Sequence, residues 1–408
     1  MERFAPRHRE GWTATHRPFA EPIVDSADAF AVGIDLGTTN SVIAMWSPEE
    51  KCVEVFALDG DAQEILPSIV SVAAGTRGLA GCSVGVATSG STVVRNVKRL
   101  MGRRFDDPRV RADVRRGGLL SCPIAADGDG DAAVQLGSGG ALVSPAEVSS
   151  HVLRRLLAAA ATARSGRAVT HAVITVPAHF NVAQRRATRH AAELAGVEVL
   201  QLLNEPSAAA MSYGLFVAGE KRVLIVDLGG GTFDVSLLDV ADGKVTVVAV
   251  GGDSRLGGVD ITENFVDIAL DRMGLPRGSA AAPLAADLCR ALSDACEQAK
   301  VELAASTSVE IPITPPIAAA LHAHALRVPT TWTLSRDDLA EACDPVLNAC
   351  MGIVDQVLTE SGVAAEEIKE IVLVGGSSRL LELRSRLVDR FDGKVYHIMT
   401  LYQILFSS

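Results

Sequence analysis

The sequence contains two copies of one strand-turn-strand pattern. Residues 32–46 read VGIDLGTTNSVIAMW, and residues 223–240 read VLIVDLGGGTFDVSLLDV. In each copy an apolar strand ends at an Asp-Leu-Gly corner, a short polar turn follows, and a second strand of alternating apolar residues begins. A repeated supersecondary unit predicts a chain built from two similar half-molecules.

Helices and strands alternate between and after the two copies. A capping box at Ser144 predicts a helix that runs to about Gly166, and the strand HAVITVP follows it. Asn181 and Gly196 mark the two ends of the next helix, and Glu205 lies where an apolar run meets a short helix. Such alternation predicts an α/β fold.

The second half repeats this organisation. Helical stretches are predicted around residues 260–305, and a further helix from Ser335 to Gly362. The strand EIVLV then leads into GGSSR. The predicted parts of the chain are a disordered N-terminal extension (1–30), a first lobe (31–215), a second lobe (216–392) and a divergent C-terminal tail (393–408).

Two interpretations of the tail remain open. Ile398, Leu401, Tyr402 and Leu405 have helical spacing, which predicts a substitute terminal helix. The alternative is an unnatural tail produced by a truncated or shifted reading frame.

Composition narrows the function classes. The formal net charge of −11 argues against a protein that coats nucleic acid, because phosphate neutralisation needs clustered cations. No apolar run approaches the roughly 20 residues of a membrane span. One stretch, residues 98–116, is rich in Lys and Arg, but Asp106, Asp107 and Asp113 lie among them, which predicts a solvated, self-paired face.

The cysteines indicate a reducing compartment. There are seven, with no CxxC pair, so neither a disulfide framework nor a zinc site is expected, and a cytoplasmic location is predicted. Cys289 and Cys296, like Cys343 and Cys350, are seven residues apart in helical stretches, which predicts that they are small core residues.

Two other patterns resemble metal sites but are interpreted otherwise. Asp127, Asp129 and Asp131 begin like a calcium loop, yet the required glycine and final glutamate are missing, which favours a solvated hairpin tip. His322 and His324 have strand spacing, which favours a surface strand.

Glycine-rich corners after strands are suited to phosphate, because their backbone N–H groups can approach it without obstruction by a Cβ atom. The two copies each supply such a corner, and GGSSR supplies a third. Asp35 and Asp227 precede the first two corners and are of the type that holds Mg²⁺ through its bound waters. No GxxxxGK[ST] loop is present, so the predicted phosphate site is not a P-loop.

Six strings, in this order, resemble the nucleotide-binding domain of the seventy-kilodalton heat-shock (DnaK-type) chaperones: VGIDLGTTNS, ITVPAHFNVAQRRAT, NEPSAAAMSYGL, VDLGGGTFDVS, DSRLGGVD and LVGGSSR. The similarity extends over about residues 32–392. It implies a two-lobed, actin-like ATPase fold with ATP or ADP and Mg²⁺ as cofactors.

The resemblance also implies residue roles. The implied catalytic residues are Asp35, Glu205, Thr232 and Asp234. The implied nucleotide contacts are Gly37, Thr38, Thr39, Asn40, Gly229, Gly230, Gly231, Thr232, Glu297, Lys300, Gly375, Gly376, Ser377 and Arg379. Asp35 and Asp227 would hold hydrated Mg²⁺, and Pro177 and Arg185 would couple nucleotide state to a peptide-binding half.

One departure from the family predicts weakened hydrolysis. In that family a lysine reaches the γ-phosphate, and it is expected a few residues before the segment that reads KRLMGRRF here. Residues 67–97 contain no lysine, and Ser83, Val84 or Gly85 would occupy its place. Losing a charge directed at the phosphate costs on the order of 10²-fold in rate.

Three functions follow from these observations. The first is an ATP-binding chaperone module with slow or absent hydrolysis. The second is a non-catalytic regulator or scaffold that binds J-domain and nucleotide-exchange cochaperones, without peptide clients. The third is an actin-like filament protein or sugar kinase, although those relatives lack the NEPSAAA and VPAHFN strings in these forms.

Overall fold

The computed structural model describes most of the chain. The described residues are 25–26, 29–47, 52–58, 63–76, 78–88, 90–111, 122–137, 140–212, 219–241, 244–277, 286–393 and 395–399. None of the helices among them is long and apolar enough to cross a membrane.

The strands of the described residues fall into two large sheets and three small ones. In chain order they are β1 (Asp25–Ser26), β2 (Ala29–Leu36), β3 (Asn40–Ser47), β4 (Cys52–Val55), β5 (Leu66–Pro67), β6 (Val70–Ala73), β7 (Ser83–Val84), β8 (Ser91–Val94), β9 (Ile124–Ala126), β10 (Ala132–Gln135), β11 (Leu142–Val143), β12 (Ala168–Val176), β13 (Glu198–Asn204), β14 (Lys221–Leu228), β15 (Phe233–Ala241), β16 (Lys244–Asp253), β17 (Ser308–Pro312), β18 (Thr331–Ser335), β19 (Glu370–Val374) and β20 (Val395–Met399).

The helices lie mainly in the crossovers and after the hairpins. They are α1 (Pro145–Ala163), α2 (Val182–Ala195), α3 (Glu205–Ser212), α4 (Gly258–Met273), α5 (Ala286–Leu303), α6 (Pro315–Ala323), α7 (Arg336–Ser361) and α8 (Leu381–Arg390).

The two large sheets share a five-stranded path of the same topology, to which the first sheet adds β1 and β5. The first has the order β13-β12-β2-β3-β4, and the second has the order β20-β19-β14-β15-β16. In each sheet the first two pairings are parallel and the last two are antiparallel. This correspondence confirms that the sequence repeat marks two similar halves, here called the first and second lobes.

Each lobe has its own apolar core. The core of the first lobe is formed by buried residues between Phe30 and Val199, including those on the inner face of α1. The core of the second lobe extends from Leu224 to Phe391 and includes α4, α5 and α7. The predicted boundary near residue 215 lies outside the described residues and stays a prediction.

The predicted helix ends are confirmed. Ser144 and Asn181 each accept a hydrogen bond from the backbone of the third helical residue, so both are N-caps with capping boxes. Gly196 and Gly362 end α2 and α7 in the left-handed conformation that favours glycine. Asp127, Asp129 and Asp131 lie in the turn between β9 and β10, as expected for a hairpin tip.

The predicted surface strand at His322 and His324 is wrong. His322 lies inside α6 and His324 caps it, because Pro315 begins a helix whose Ile317 and Leu321 are buried. The predicted terminal helix is contradicted only at Ile398, because residues 395–399 form β20, which pairs in parallel with β19; Leu401, Tyr402 and Leu405 lie outside the described residues, and for them the helix stays a prediction. The second sheet thereby acquires the fifth strand that β13 supplies in the first. Residues 401–408 lie outside the described part of the chain.

The predicted extension ends in regular structure: Asp25 and Ser26 pair with the beginning of β2, whereas residues 1–24 are not described. The cysteine prediction holds for Cys296, Cys343 and Cys350, which are buried within α5 and α7, whereas Cys289 is only half-buried.

The prediction of a solvated basic face holds only in part. Arg103 pairs with Asp107 and Arg104 approaches Asp106, as expected. Lys98 and Arg99, however, are buried and pair with carboxylates elsewhere in the chain, so they do not belong to a solvated face. Arg115, Arg116 and Asp113 lie outside the described residues.

Candidate functional site

The two repeated turns, residues 37–40 (the first turn) and 229–232 (the second turn), face each other between the lobes. A Cβ atom built on Gly230 would lie 1.9 Å from Thr39 Oγ1, and one built on Gly231 would lie 2.4 Å from Thr38 Cγ2. Only glycine permits so close an approach. The expected apposition of the turns is therefore observed, whereas their phosphate contacts stay a prediction.

The N-terminus of α4 supports the second turn. Gly258 N donates to Gly229 O at 3.0 Å, and Val259 N donates to Gly230 O at 2.7 Å. Gly229 N in turn donates to Thr232 O at 3.0 Å and closes the turn. The DSRLGGVD string thus fixes the backbone of the turn.

Four carboxylates converge next to the turns. Asp35 and Asp227 occupy equivalent positions, one residue before the end of β2 and β14. Asp234 is paired with Asp227 across the β14–β15 ladder, and Glu205 follows directly after β13. We call these four side chains the carboxylate cluster; all are buried.

Lys98 supplies a cation to the carboxylate cluster. Its Nζ atom donates to Glu205 Oε1 at 3.0 Å, and both side chains are less than one-tenth exposed. Burial by itself would lower the pKa of Lys98, but attraction to Glu205 and Asp35 outweighs it and raises that pKa. The ammonium group therefore stays charged. The expectation that the site lacks a lysine is wrong, because the lysine is the first residue of KRLMGRRF and does not precede that segment.

A local signal distinguished this lysine from the neighbouring basic residues. Lys98 and Arg99 lie between Val97 and Leu100, whereas Arg104 is followed closely by aspartates. Cations flanked by apolar residues are buried only when paired. Their partner could not be identified from sequence, since Glu205 is 107 positions away.

The pKa values of three members of the carboxylate cluster, Glu205, Asp35 and Asp227, are shifted upwards. Burial raises the pKa of Glu205 to about 7, with repulsion from Asp35 and Asp234 adding to the effect and Lys98 opposing it. Burial likewise raises the pKa of Asp35, and it raises that of Asp227 well above its ordinary value. Four acids around one ammonium group leave excess negative charge, which favours binding of a further cation.

The unused polar atoms suit hydrated Mg²⁺ and phosphate. Asp35 Oδ2, Asp234 Oδ2 and Thr39 Oγ1 are buried and have no hydrogen-bond partner among the described residues. Within the described residues, no three His, Cys, Asp or Glu side chains form a direct metal-ligand set. Since Mg²⁺ retains several waters in proteins, carboxylates that act through those waters fit the arrangement.

The third glycine corner, residues 375–379, lies behind the carboxylate cluster. Gly375 has φ of 88°, and a Cβ atom there would lie 2.5 Å from Asp227 Oδ1. Ser377 is buried next to Gly258, whereas Gly376 and Arg379 are exposed.

Lys300 and Glu297 on α5 lie close to this corner. Lys300 Nζ donates to Gly258 O, Thr262 Oγ1 and Glu297 Oε2 at 2.9, 2.9 and 2.7 Å. These contacts use all the N–H donors of a lysine, so Lys300 shapes the wall of the site in this conformation. The side chain of Glu297 is 44% exposed and remains open to a ligand.

Arg185 connects two strand ends of the first lobe. It donates to Phe180 O at 2.9 Å and to Asn204 Oδ1 at 2.8 Å, and its Nη2 atom lies 3.5 Å from Pro177 O. Asn204 directly precedes Glu205, so Arg185 links the turn after β12 to the carboxylate cluster. A role of Pro177 and Arg185 in interdomain coupling stays a prediction.

We expect the nucleotide-free protein to lose stability as the pH rises from about 5 to about 8. Glu205 has a raised pKa in the folded state, of about 7 against an ordinary 4.5. The contribution of Glu205 to stability is complete at a pH below its ordinary pKa, and it is lost as the pH rises through the pKa of the folded state. In Glu205→Gln the free energy of unfolding should therefore fall less over this pH range than in the wild type, by on the order of 1–3 kcal/mol. Urea titrations at several pH values measure the difference.

Glu193→Gln provides the control, because the Glu193 side chain is 60% exposed on α2. It should leave the pH dependence unchanged. An equal fall in Glu205→Gln and the wild type would contradict the prediction.

Comparison with known proteins agrees with this geometry. The sequence model of the family described as "Hsp70 protein" matches residues 31–399. The chain is also 36% identical over 364 residues to the "Chaperone protein dnaK" of Cyanidioschyzon merolae (strain NIES-3377 / 10D), an alignment that covers 88% of this chain and 58% of that protein. The matched region thus spans little more than half the length of this relative. The chain belongs to the Hsp70 family and has the actin-like ATPase fold of that family's nucleotide-binding domain.

Proposed function

We propose that this chain is an ATP-binding module of a molecular chaperone and that it hydrolyses ATP between its two lobes. The observation that carries the proposal is the pair of facing turns, with Gly230 against Thr39 and Gly231 against Thr38, next to a lysine among four carboxylates. Backbone amides of two such turns can bind a polyphosphate from opposite sides.

The side chains divide into groups by their chemistry. Thr38, Thr39 and the second turn bind phosphate oxygens, and Asp35 and Asp227 hold hydrated Mg²⁺. When bound, Mg²⁺ neutralises charge on the phosphate oxygens. The groups proposed to contact the base and ribose are Glu297, Lys300, Gly375, Gly376, Ser377 and Arg379.

Hydrolysis depends on the buried polar groups. Lys98 places a positive charge where charge develops on the transferred phosphoryl group, and Glu205 orients that ammonium group through its 3.0 Å contact. Glu205 and Asp234 orient the attacking water. The reason to expect slow hydrolysis was a missing lysine, and Lys98 removes that reason.

Isothermal titration with ATP and Mg²⁺ tests the proposal. Saturable heat is expected, with weaker binding when Mg²⁺ is chelated, because the excess charge of the carboxylate cluster then repels the triphosphate. A labelled-ATP assay under single-turnover conditions should release phosphate. The absence of heat at millimolar nucleotide would refute ATP binding, and binding without phosphate release would refute hydrolysis.

The proposal extends to the partners and the cellular location of the protein. Family membership supports interaction with cochaperones, and we propose J-domain and nucleotide-exchange proteins in the cytoplasm, without binding of peptide clients by the residues given. A pull-down with purified cochaperones tests this, and recovery of unfolded clients without any cochaperone would contradict it. The family match leaves the filament or sugar-kinase alternative without support.

Arg95 should slow the release of bound nucleotide. Its Nη1 atom donates to Asp294 Oδ1 at 2.6 Å and joins the first lobe to α5 of the second. The Asp294 side chain is 51% exposed, so the pair contributes little, about 0.5–1 kcal/mol. Arg95→Ala should raise the dissociation rate of a fluorescent ADP by about two- to fivefold in a stopped-flow chase.

The matched control is Arg290→Ala. Arg290 pairs with Asp287 within α5 and bridges no lobes, so its removal should leave ADP release unchanged. Equal release rates in the wild type and Arg95→Ala would show that the Arg95–Asp294 pair does not hold the lobes together.

A further inference from the structure

His179 is a half-buried group that the proposed function does not use. It lies in the turn after β12 of the first lobe, and its Nδ1 atom is 2.7 Å from Asp234 Oδ1 in β15 of the second lobe. The Asp234 side chain is only 2% exposed and that of His179 is 18% exposed. The contact therefore joins the two lobes directly at the carboxylate cluster.

The surroundings fix the orientation of the imidazole ring. A Cβ atom built on Gly252 would lie 2.9 Å from His179 Nδ1 and 3.3 Å from Asp234 Oδ1, so glycine at this position of β16 leaves room for the contact. Phe180 packs edge-on against the ring, with centroids 5.9 Å apart, and Lys98 Nζ lies 5.7 Å from the centre of Phe180. The histidine thus belongs to the same packed unit as the lysine.

Hydrogen-bond chemistry assigns the direction of the contact. A carboxylate oxygen accepts, so Nδ1 carries the proton and donates to Asp234 Oδ1. Asp234 Oδ2 is then the oxygen left over, and it is buried without a partner among the described residues. A charge-assisted hydrogen bond of this kind restrains both the position and the rotation of the carboxylate.

We infer that His179 is a positioning residue for ATP hydrolysis, which holds Asp234 so that its second oxygen accepts a hydrogen bond from the attacking water. The inference rests on the proposed function. Because donor and acceptor come from different lobes, the bond requires the arrangement of the lobes seen here. Asp234 is therefore positioned only in this arrangement, which links the packing of the lobes to hydrolysis.

Two substitutions separate positioning from packing. His179→Leu removes the donor while keeping an apolar side chain of similar size, and His179→Asn keeps an N–H donor near the place of Nδ1. The leucine variant should hydrolyse ATP about 10- to 100-fold more slowly in a single turnover, the range expected for loss of a hydrogen bond to a charged group. ATP affinity should change by less than about threefold, and the asparagine variant should recover most of the rate.

The pair with Asp234 provides a second measurement. After Asp234→Asn, adding His179→Leu should lower the rate little further, because a positioning residue acts only through its partner. The matched control is His190→Leu, since His190 lies exposed on α2 and should have no effect on hydrolysis.

The measured rates and affinities distinguish failure of this inference from failure of the proposed function. A leucine variant with the wild-type hydrolysis rate, a loss confined to ATP affinity, or full additivity with Asp234→Asn would overturn the inference. If His179→Leu does not fold, His179→Ala, which also removes the donor, and its combination with Asp234→Asn decide in the same way. A wild-type chain that neither binds nor hydrolyses ATP would instead refute the proposed function, and the role of His179 with it.

Discussion

Lys98→Met is expected to lower the single-turnover rate of ATP hydrolysis by about 10²-fold or more. Methionine keeps an unbranched side chain of similar length but removes the ammonium group, which lies 3.0 Å from Glu205 and interacts with Asp35 and Asp234. Within the part of the chain that the structure describes, Lys98 is the cation whose attraction lowers the pKa of Asp35, Glu205 and Asp227, and the methionine variant loses it. Phosphate release from labelled ATP gives the rate, and titration with ADP gives the affinity.

ADP affinity should change much less than the rate, because ADP lacks the γ-phosphate that the charge is proposed to stabilise. Lys221→Met is the matched control, since Lys221 also pairs with a carboxylate, Glu370, but at the opposite end of β14 from Asp227. Hydrolysis by Lys98→Met at the wild-type rate would show that the ammonium group acts only in folding.

Arg99→Leu is expected to reduce the free energy of unfolding by about 3–5 kcal/mol. The guanidinium group of Arg99 is fully buried and contacts Asp260 through both Nη atoms, at 3.2 and 2.5 Å. Without it, the Asp260 carboxylate stays buried with the amide of Gly257 as its remaining partner among the contacts described. Urea unfolding followed by circular dichroism measures the loss.

ATP affinity should fall as well, because Asp260 lies at the beginning of α4, the helix that supports the second turn. Arg104→Leu is the control: Arg104 pairs with Asp131 at the surface, 59% exposed, and should cost about 0.5 kcal/mol or less. If Arg99→Leu unfolded at the same urea concentration as Arg104→Leu, the buried pair would not contribute to stability.

Much of the framework was predictable from local patterns. The two Asp-Leu-Gly corners predicted the duplicated hairpins, and the sheets around them proved to have the same strand order. Ser144, Asn181 and Gly196 identified helix ends, since a cap depends on residues only a few positions away.

Local patterns failed where a distant segment decides the outcome. Residues 395–399 include Val395, Tyr396 and Ile398, which favour strands, and the edge of β19 gives them a partner to pair with. The helical spacing that begins at Ile398 did not reveal this pairing. The prediction for His322 and His324 failed although the deciding signal was local. Pro315 begins a helix, and the strand-like spacing of the two histidines did not reveal it.

The sequence by itself determined the two lobes, the glycine turns and the carboxylates at the strand ends, because these follow from interactions within short segments. The tertiary structure alone decided how the charges pair. Lys98 meets Glu205 across 107 positions, Arg99 meets Asp260 across 161, and His179 meets Asp234 across 55. Burial makes each of these pairings necessary, since an unpaired charge inside a protein is costly. Only the tertiary packing determines which partner is within reach, within the first lobe for Lys98 and Glu205 and between the lobes for the other two pairs.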